Sequence, residues 1–390
     1  MKNRTKRRAN KNAKGSRGTT PKATTQSAAG TAGNSQPNRA APNGDQAAKT
    51  APTAKPRATA SRPSTTTTGS GSLPPAVSAP RNDYVRPDGI RLNYYVDGPA
   101  GGRPLLLIHA INAAPSVYEL KPLFEHYRTR RRVYALDFPG FGFSDRGDRR
   151  YSPQLYTDTI VDFVTQVIKE PVDVVALSLG SEFATQAALR APELFATLTL
   201  ISPTGFSDRR LPNGEGQVAK WAHKVLSVPL WGPGLFKLLA TRPSIRYFMK
   251  KSFVDAVPAE YIEYAYAAAH QPGAHHAPLY FLSGQLFTTD AYDRFYSKVS
   301  QPVLVIHDRD PNVSFERLPA LLAERPNWQE ARIAPSLGLP HWEKLAETAE
   351  VLDRFWADQT AAPVTEAAAP TDADRAAADA DAPTTDRDTA

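Results

Sequence analysis

The chain has 390 residues, with 47 Lys+Arg against 39 Asp+Glu, 35 Pro and no Cys. Without Cys there is no disulfide framework, thiolate metal site or Cys nucleophile, so covalent chemistry falls to Ser, Thr, Lys or a carboxylate. The net charge of +8 belongs to a tail: residues 1–80 hold 14 basic side chains and one acid, residues 357–390 hold two and eight, and the stretch between is +1.

Residues 1–80 are built of Ala, Thr, Ser, Pro, Gly, Asn and Lys/Arg, and bury too little apolar area to offset the entropy of ordering them; a disordered basic tail is expected. Its partner is either nothing, as a solubilising tether, or a weakly held anionic surface, nucleic acid or membrane. Aromatic residues for base stacking are missing from it. The basic start Lys2–Arg8 runs into Ala, Asn, Gly and Thr where a signal peptide needs an apolar core. No apolar run approaches the roughly 20 residues of a membrane span, so a cytoplasmic protein without a transmembrane segment is expected. Residues 357–390, rich in Ala, Asp, Thr and Pro, read as a second, acidic disordered tail.

Residues 81–356 have the texture of one domain. Apolar runs at 90–96, 104–109, 133–137, 172–176, 198–201, 303–307 and 331–334 predict strands. Leu105-Leu106-Leu107-Ile108 and Val303-Leu304-Val305-Ile306 are continuously apolar, as in strands covered on both faces. Helical periods at 114–126, 153–169, 179–190 and 342–356 fill the gaps, which gives an α/β fold with a mostly parallel sheet flanked by helices. About 95 residues separate 201 from 303, far more than a crossover needs. Helical segments near 221–226, 235–239, 245–253, 261–269 and 291–296 predict a helical lid over about 206–298, inserted before the last two strands. Its Trp221, Trp231, Tyr247, Phe248, Tyr261, Tyr264, Tyr266, Tyr280, Phe281 and Phe287 are expected to be shared between core packing and an apolar pocket.

The fourth run passes through Ala176-Leu177-Ser178-Leu179-Gly180 into a helix. A nucleophilic Ser on a sharp strand-to-helix turn needs small residues two before and two after it, and the helix N-terminus offers N–H groups to an oxyanion. Ser is also an ordinary helix N-cap, which is the plainer explanation of Ser178. Further segments are Leu106-Leu107-Ile108-His109-Ala110, Asp137-Phe138-Pro139-Gly140-Phe141-Gly142-Phe143-Ser144-Asp145, Val303 to Pro311, and Gly338-Leu339-Pro340-His341-Trp342-Glu343. In this order and spacing, residues 84–356 resemble the α/β-hydrolase superfamily, in particular its lid-bearing serine hydrolases.

The resemblance implies an α/β-hydrolase fold and a triad in the chain order Ser, Asp, His: Ser178, Asp310 and His341, with Asp308 the competing acid. It implies oxyanion donors from the backbone N–H of Ile111 and Leu179, and no cofactor or metal. The expected function is hydrolysis of an ester or related acyl bond in a partly apolar small molecule, through an acyl-enzyme. Carbon–carbon hydrolysis, lyase chemistry or perhydrolysis on the same triad are alternatives, as is a catalytically silent binding protein. Three positions depart from the pattern: Ala176 and Ala110 stand where Gly is usual, and Gly338 stands where the family places a His three residues before that of the Pro-His pair. His341 is the one His after the last strand, so the base falls to it or the triad is broken. His109 is expected to brace the oxyanion loop, His307 to be structural, and His270, His275 and His276 to be surface or pocket residues rather than metal ligands.

Overall fold

The structure, a computed structural model, describes residues 73–208, 216–226 and 232–361. The tail expectations for 1–72 and 362–390, and the lid's Trp231, lie outside the described residues.

Eight strands form one sheet: β1 (Arg81–Val85), β2 (Arg91–Asp97), β3 (Leu105–Ile108), β4 (Val133–Leu136), β5 (Val172–Leu177), β6 (Phe195–Ile201), β7 (Val303–His307) and β8 (Trp328–Arg332). Their spatial order is β1-β2-β4-β3-β5-β6-β7-β8. The β1–β2 and β2–β4 pairs are antiparallel and every later pair is parallel. All residues of β3 and β5 are buried, because helices cover both faces and alternate side chains enter two separate cores. Leu106, Ile108, Val174 and Ala176 enter the core with α2 (Pro153–Phe163) and α3 (Gly180–Arg190). Leu105, Leu107, Val175 and Leu177 enter the other, with α1 (Lys121–Tyr127) and the terminal helix described below.

Local chemistry sets the helix ends. Ser152 caps α2 by accepting the Leu155 N–H at 3.2 Å, with Pro153 at the first helical position where its missing N–H costs nothing. The one acid within β5, Asp173, is buried but satisfied: it accepts from Arg131 at 2.6 Å and from the Thr197 hydroxyl at 2.8 Å.

Between β6 and β7 lie α4 (Gln217–Leu226), α5 (Gly232–Leu239), α6 (Arg242–Met249), α7 (Ala259–Ala269), α8 (His276–Leu282) and α9 (Ala291–Arg294). After β7 come α10 (Leu318–Glu324), α11 (Pro340–Glu343) and α12 (Leu345–Ala361). Helix α7 docks on the body of the fold through aromatic contacts: Tyr264 stacks on Tyr118 at 4.1 Å and Tyr261 on Trp342 at 4.8 Å.

Several boundaries differ from the pattern-based expectation. Packing begins before residue 81, since Leu73, Ala76 and Val77 are buried and the Ala76 N–H donates to the Tyr95 hydroxyl at 3.0 Å. Two large apolar residues in a polar stretch suffice to anchor it, which composition averaging hides. The expected last strand at 331–334 lies earlier, at Trp328–Arg332, because its outward residues Gln329 and Glu330 are polar and mask the alternation. The expected helix over 342–356 is two helices, α11 and α12, and the second runs to Ala361. Strand β1 and helices α8 and α10 had no legible signal; β1 is an edge strand whose burial only alternates between half-buried and exposed. Trp221 and Tyr247, expected in the core or the pocket, are exposed, and Phe248 is exposed while also bordering the cavity described below.

Candidate active site

The carboxyl ends of β3, β5, β6 and β7 stop together. The register pairs Ile108 with Ala176 and Leu177 with Ile201, so His109, Ser178 and Ser202 emerge side by side. Ser178 sits between β5 and α3 with φ of +52°, a left-handed conformation that costs a non-glycine residue about 1–3 kcal/mol. Its N–H donates to the Ile201 carbonyl at 2.8 Å, which ties the turn to the neighbouring strand. Gly180 is required two residues later, because a Cβ there would collide with the His109 carbonyl oxygen. Ala176 is buried without exposure, so the methyl where Gly is usual is accommodated beneath the turn.

Opposite the turn, the loop after β3 is held by two buried side chains. His109 donates from Nδ1 to the Ala110 carbonyl at 2.6 Å and accepts at Nε2 from the Phe138 N–H at 3.0 Å, the bracing role expected of it. Glu119 accepts from the Ala110 N–H at 3.0 Å and from the Asn112 amide at 2.6 Å. Burial pushes the Glu119 carboxyl up to about 7 against those two donors. Glu119 belongs to the turn Val117–Leu120, and nothing in the sequence pattern marked it. Ile111 and Leu179 both border the cavity, and neither N–H is taken by an acceptor among the described residues.

A cavity of about 370 Å³ opens above Ser178. Its floor includes Ala110, Ile111, Ser178 and Leu179; Asp310 and Gly338 close one side; α6, α7 and α8 supply Ile245, Tyr261 and Phe281 among other apolar side chains. Largely apolar walls around the Ser178 hydroxyl and two N–H groups, with Asn112, Ser202, Thr204 and Asn312 also on the lining, suit a partly apolar ligand with a carbonyl-like acceptor.

The two acids separate clearly. Asp308 is buried away from the cavity, where it accepts from Arg332 at 2.7 Å and from the Ser336 N–H at 2.9 Å. Burial opposes its ionisation, yet these donors outweigh it and hold the carboxyl below its ordinary value. Asp310 borders the cavity, accepts the Asn312 N–H at 2.7 Å, and is raised by burial.

His341 does not join them. It is fully buried in α11, is not part of the cavity wall, and donates from Nε2 to the Glu119 carbonyl at 2.8 Å, beside Trp342 Nε1, which donates to the same oxygen at 2.6 Å. Its Nδ1 has no partner, so His341 makes neither of a triad's hydrogen bonds, to Ser178 or to Asp310. Burial drives its pKa down to about 4. The residue facing Asp310 is Gly338, at φ of +104°; a Cβ there would lie 2.6 Å from Asp310 Oδ2. The structure thus brings Ser178, Asp310 and the Ile111 and Leu179 backbone together around one cavity and leaves His341 as a clamp between α11 and the Val117–Leu120 turn. The expectation of His341 as the base fails in this arrangement because Pro340 starts a short helix that turns the imidazole into the core.

Two further histidines are held by protein partners. His307 pairs with Glu330 at 2.9 Å, and His270 bonds the Tyr266 carbonyl at 2.7 Å.

Comparison with known proteins agrees with this fold. A family model described as "Alpha/beta hydrolase family" matches residues 105–385. The 2-hydroxymuconate semialdehyde hydrolase of Pseudomonas sp. (strain CF600) is 31% identical over 137 residues, 35% of this chain and 47% of that protein. The (lyso)-N-acylphosphatidylethanolamine lipase of Bos taurus is 29% identical over 182 residues, 41% of this chain and 51% of that protein. The chain thus spans about half the length of these curated relatives. Among solved structures, a serine hydrolase involved in carbazole degradation superposes with a TM-score of 0.59 at 18% identity, over 72% of this chain and 99% of that one. An esterase from Thermogutta terrifontis gives 0.57 at 20% identity, over 72% and 99%. With an eight-stranded, mostly parallel sheet and a family match over most of its length, this chain belongs to the α/β hydrolase family.

Proposed function

We propose that this chain binds a partly apolar, ester- or acyl-bearing small molecule over Ser178, and that hydrolysis there is severely attenuated because no histidine serves the serine. The observation that carries this reading is the pairing of Asp310 with Gly338 while the His341 Nε2 is committed to the Glu119 carbonyl. In a Ser-His-Asp triad the imidazole takes the serine proton and returns it to the leaving group; without it the serine stays protonated, and turnover falls on the order of 10⁶-fold. The Ile111 and Leu179 N–H groups would still donate to the carbonyl oxygen of a bound ligand, so affinity is retained while chemistry is not. Helices α4–α9 would act as the lid that gives the ligand its apolar surroundings.

The test pairs binding with turnover. An apolar fluorescent probe should be displaced from the protein by acyl esters of medium chain length. Hydrolysis of a p-nitrophenyl ester should stay at the level of Ser178→Ala, and His341→Gln should change neither measurement. Saturable turnover lost in both Ser178→Ala and His341→Gln would overturn the reading.

That outcome would favour a second reading, a serine hydrolase of ester or carbon–carbon bonds in which His341 swings to Ser178. One observation supports it: Ser178 is held at a strained positive φ between two open N–H groups, an arrangement that binding alone does not require.

A further inference from the structure

The insertion between β6 and β7 has an unusual surface. Among the described residues eight large hydrophobic side chains are exposed, and seven of them belong to this insertion: Val218, Trp221, Leu238, Tyr247, Phe248, Val254 and Leu282. Residues 217–254 hold seven Lys/Arg and no Asp or Glu. One of the seven, Arg242, is held by Glu263 in a bidentate pair with bonds of 2.7–2.9 Å. The others include Lys250 and Lys251, which follow α6 at the cavity mouth; the Lys251 Nζ lies 4.6 Å from the Tyr247 ring and 5.4 Å from that of Phe248. Phe248 and Leu282 are 52% and 40% exposed and also border the cavity, so the mouth itself has an apolar rim.

We infer that this rim docks on an anionic lipid bilayer, with Tyr247, Phe248 and Leu282 in the interface and Lys250 and Lys251 against the headgroups. Exposed aromatic and aliphatic side chains beside cations, on a stretch of 38 residues that contains no acid of its own, match the interfacial layer of a membrane in both polarity and charge. Nucleic acid shares the charge complementarity but offers nothing to Leu238, Val254 or Leu282. A cavity that opens between Phe248 and Leu282 would then receive its ligand from the lipid phase. The inference rests on surface composition and holds whether or not Ser178 performs chemistry.

The experiment is flotation of the full chain with vesicles of phosphatidylcholine alone, or of phosphatidylcholine with phosphatidylglycerol. Partitioning onto the anionic vesicles is expected, reduced about tenfold or more in Lys250→Glu/Lys251→Glu and in Tyr247→Ser/Phe248→Ser. Circular dichroism checks that these surface variants are folded. Tyr247→Trp, in the otherwise unaltered chain, is expected to add an emission component that brominated phosphatidylcholine quenches. Residues 1–72 are basic and attract anionic vesicles without any rim. Flotation equal in all variants, together with an unquenched Trp at 247, would therefore assign binding to that segment and overturn the proposal. Retention of duplex DNA with no vesicle binding would overturn it as well.

Discussion

Two corners of the site are built by opposite means. The turn at Ser178 is announced by adjacent residues, a fully buried strand, a serine at φ of +52° and a glycine two residues later, although the His109 and Ile201 carbonyls that crowd and tie it come from neighbouring strands. The corner at residues 336–343 is made by partners far away in sequence, since the Glu119 carbonyl takes both the His341 and the Trp342 N–H across 222 and 223 residues. A corner marked by the residue types of a short run is readable from five residues. One specified by long-range hydrogen bonds is not, and the same Pro-His pair reads as a base until its partner is seen.

The largest expected effect breaks the comparison outright if it fails. Ester turnover in the intact chain should lie on the order of 10⁶-fold below that of a complete triad, and steady-state kinetics of the protein against Ser178→Ala measure it. Next, Phe183→Ala undermines the Ser178 corner from below. Phe183 is fully buried on α3, stacked on Tyr156 at 5.0 Å and edge-on to Phe138 at 6.1 Å. Its truncation should cost about 3–5 kcal/mol in denaturant unfolding.

The other corner should reveal itself through pH. The folded-state pKa of His341 is about 4 against an ordinary 6.5, so the unfolded chain binds a proton between those values and the folded protein does not. Stability from this group is therefore complete above pH 6.5 and is lost as pH falls toward 4, by about 3 kcal/mol across that window. His341→Gln, which can still donate to the Glu119 carbonyl, should remove this dependence, and urea melts at pH 4.5 and 7 would detect it. If His341 instead titrates near its ordinary value, it is not committed to the core as described. Glu119, raised to about 7, opposes this trend: its burial lowers stability as pH rises from 4.5 to 7 in wild type and variant alike, so the difference between the two isolates His341.

The smallest effect is at Gly338. An alanine there must adopt φ of +104° with its Cβ 2.6 Å from Asp310 Oδ2, so Gly338→Ala should destabilise by about 1–2 kcal/mol in the same assay. A neutral outcome would mean that the loop relaxes easily and that Asp310 is not held against residue 338 as described.

Much of the fold was legible before any coordinates. Strands such as Leu105–Ile108 and Val172–Leu177 announce themselves because both of their faces are buried, and α3 because it follows a turn of small residues. Strand β1 was not, because an edge strand has no buried face to imprint a pattern. The resemblance set Asp310 ahead of Asp308 as the triad acid because a proline follows it; in the structure Asp310 borders the cavity and Asp308 does not. Glu119 was missed: a glutamate in a short turn looks like surface until the loop it holds and the helix that covers it are in place.

The linear sequence by itself determined the partition of charge, the α/β alternation and the place of the serine turn, because each is written in composition, in periodicity or in the residue types of a short run. Tertiary structure alone decided which side chains reach the cavity: Asp310 does, Asp308 does not, and His341 is turned inward to a carbonyl more than two hundred residues away. It also decided that Tyr247 and Phe248 face solvent rather than the core. A side chain's direction and its hydrogen-bond partner are settled by packing between distant segments, and those segments leave no trace in the spacing of residues along the chain.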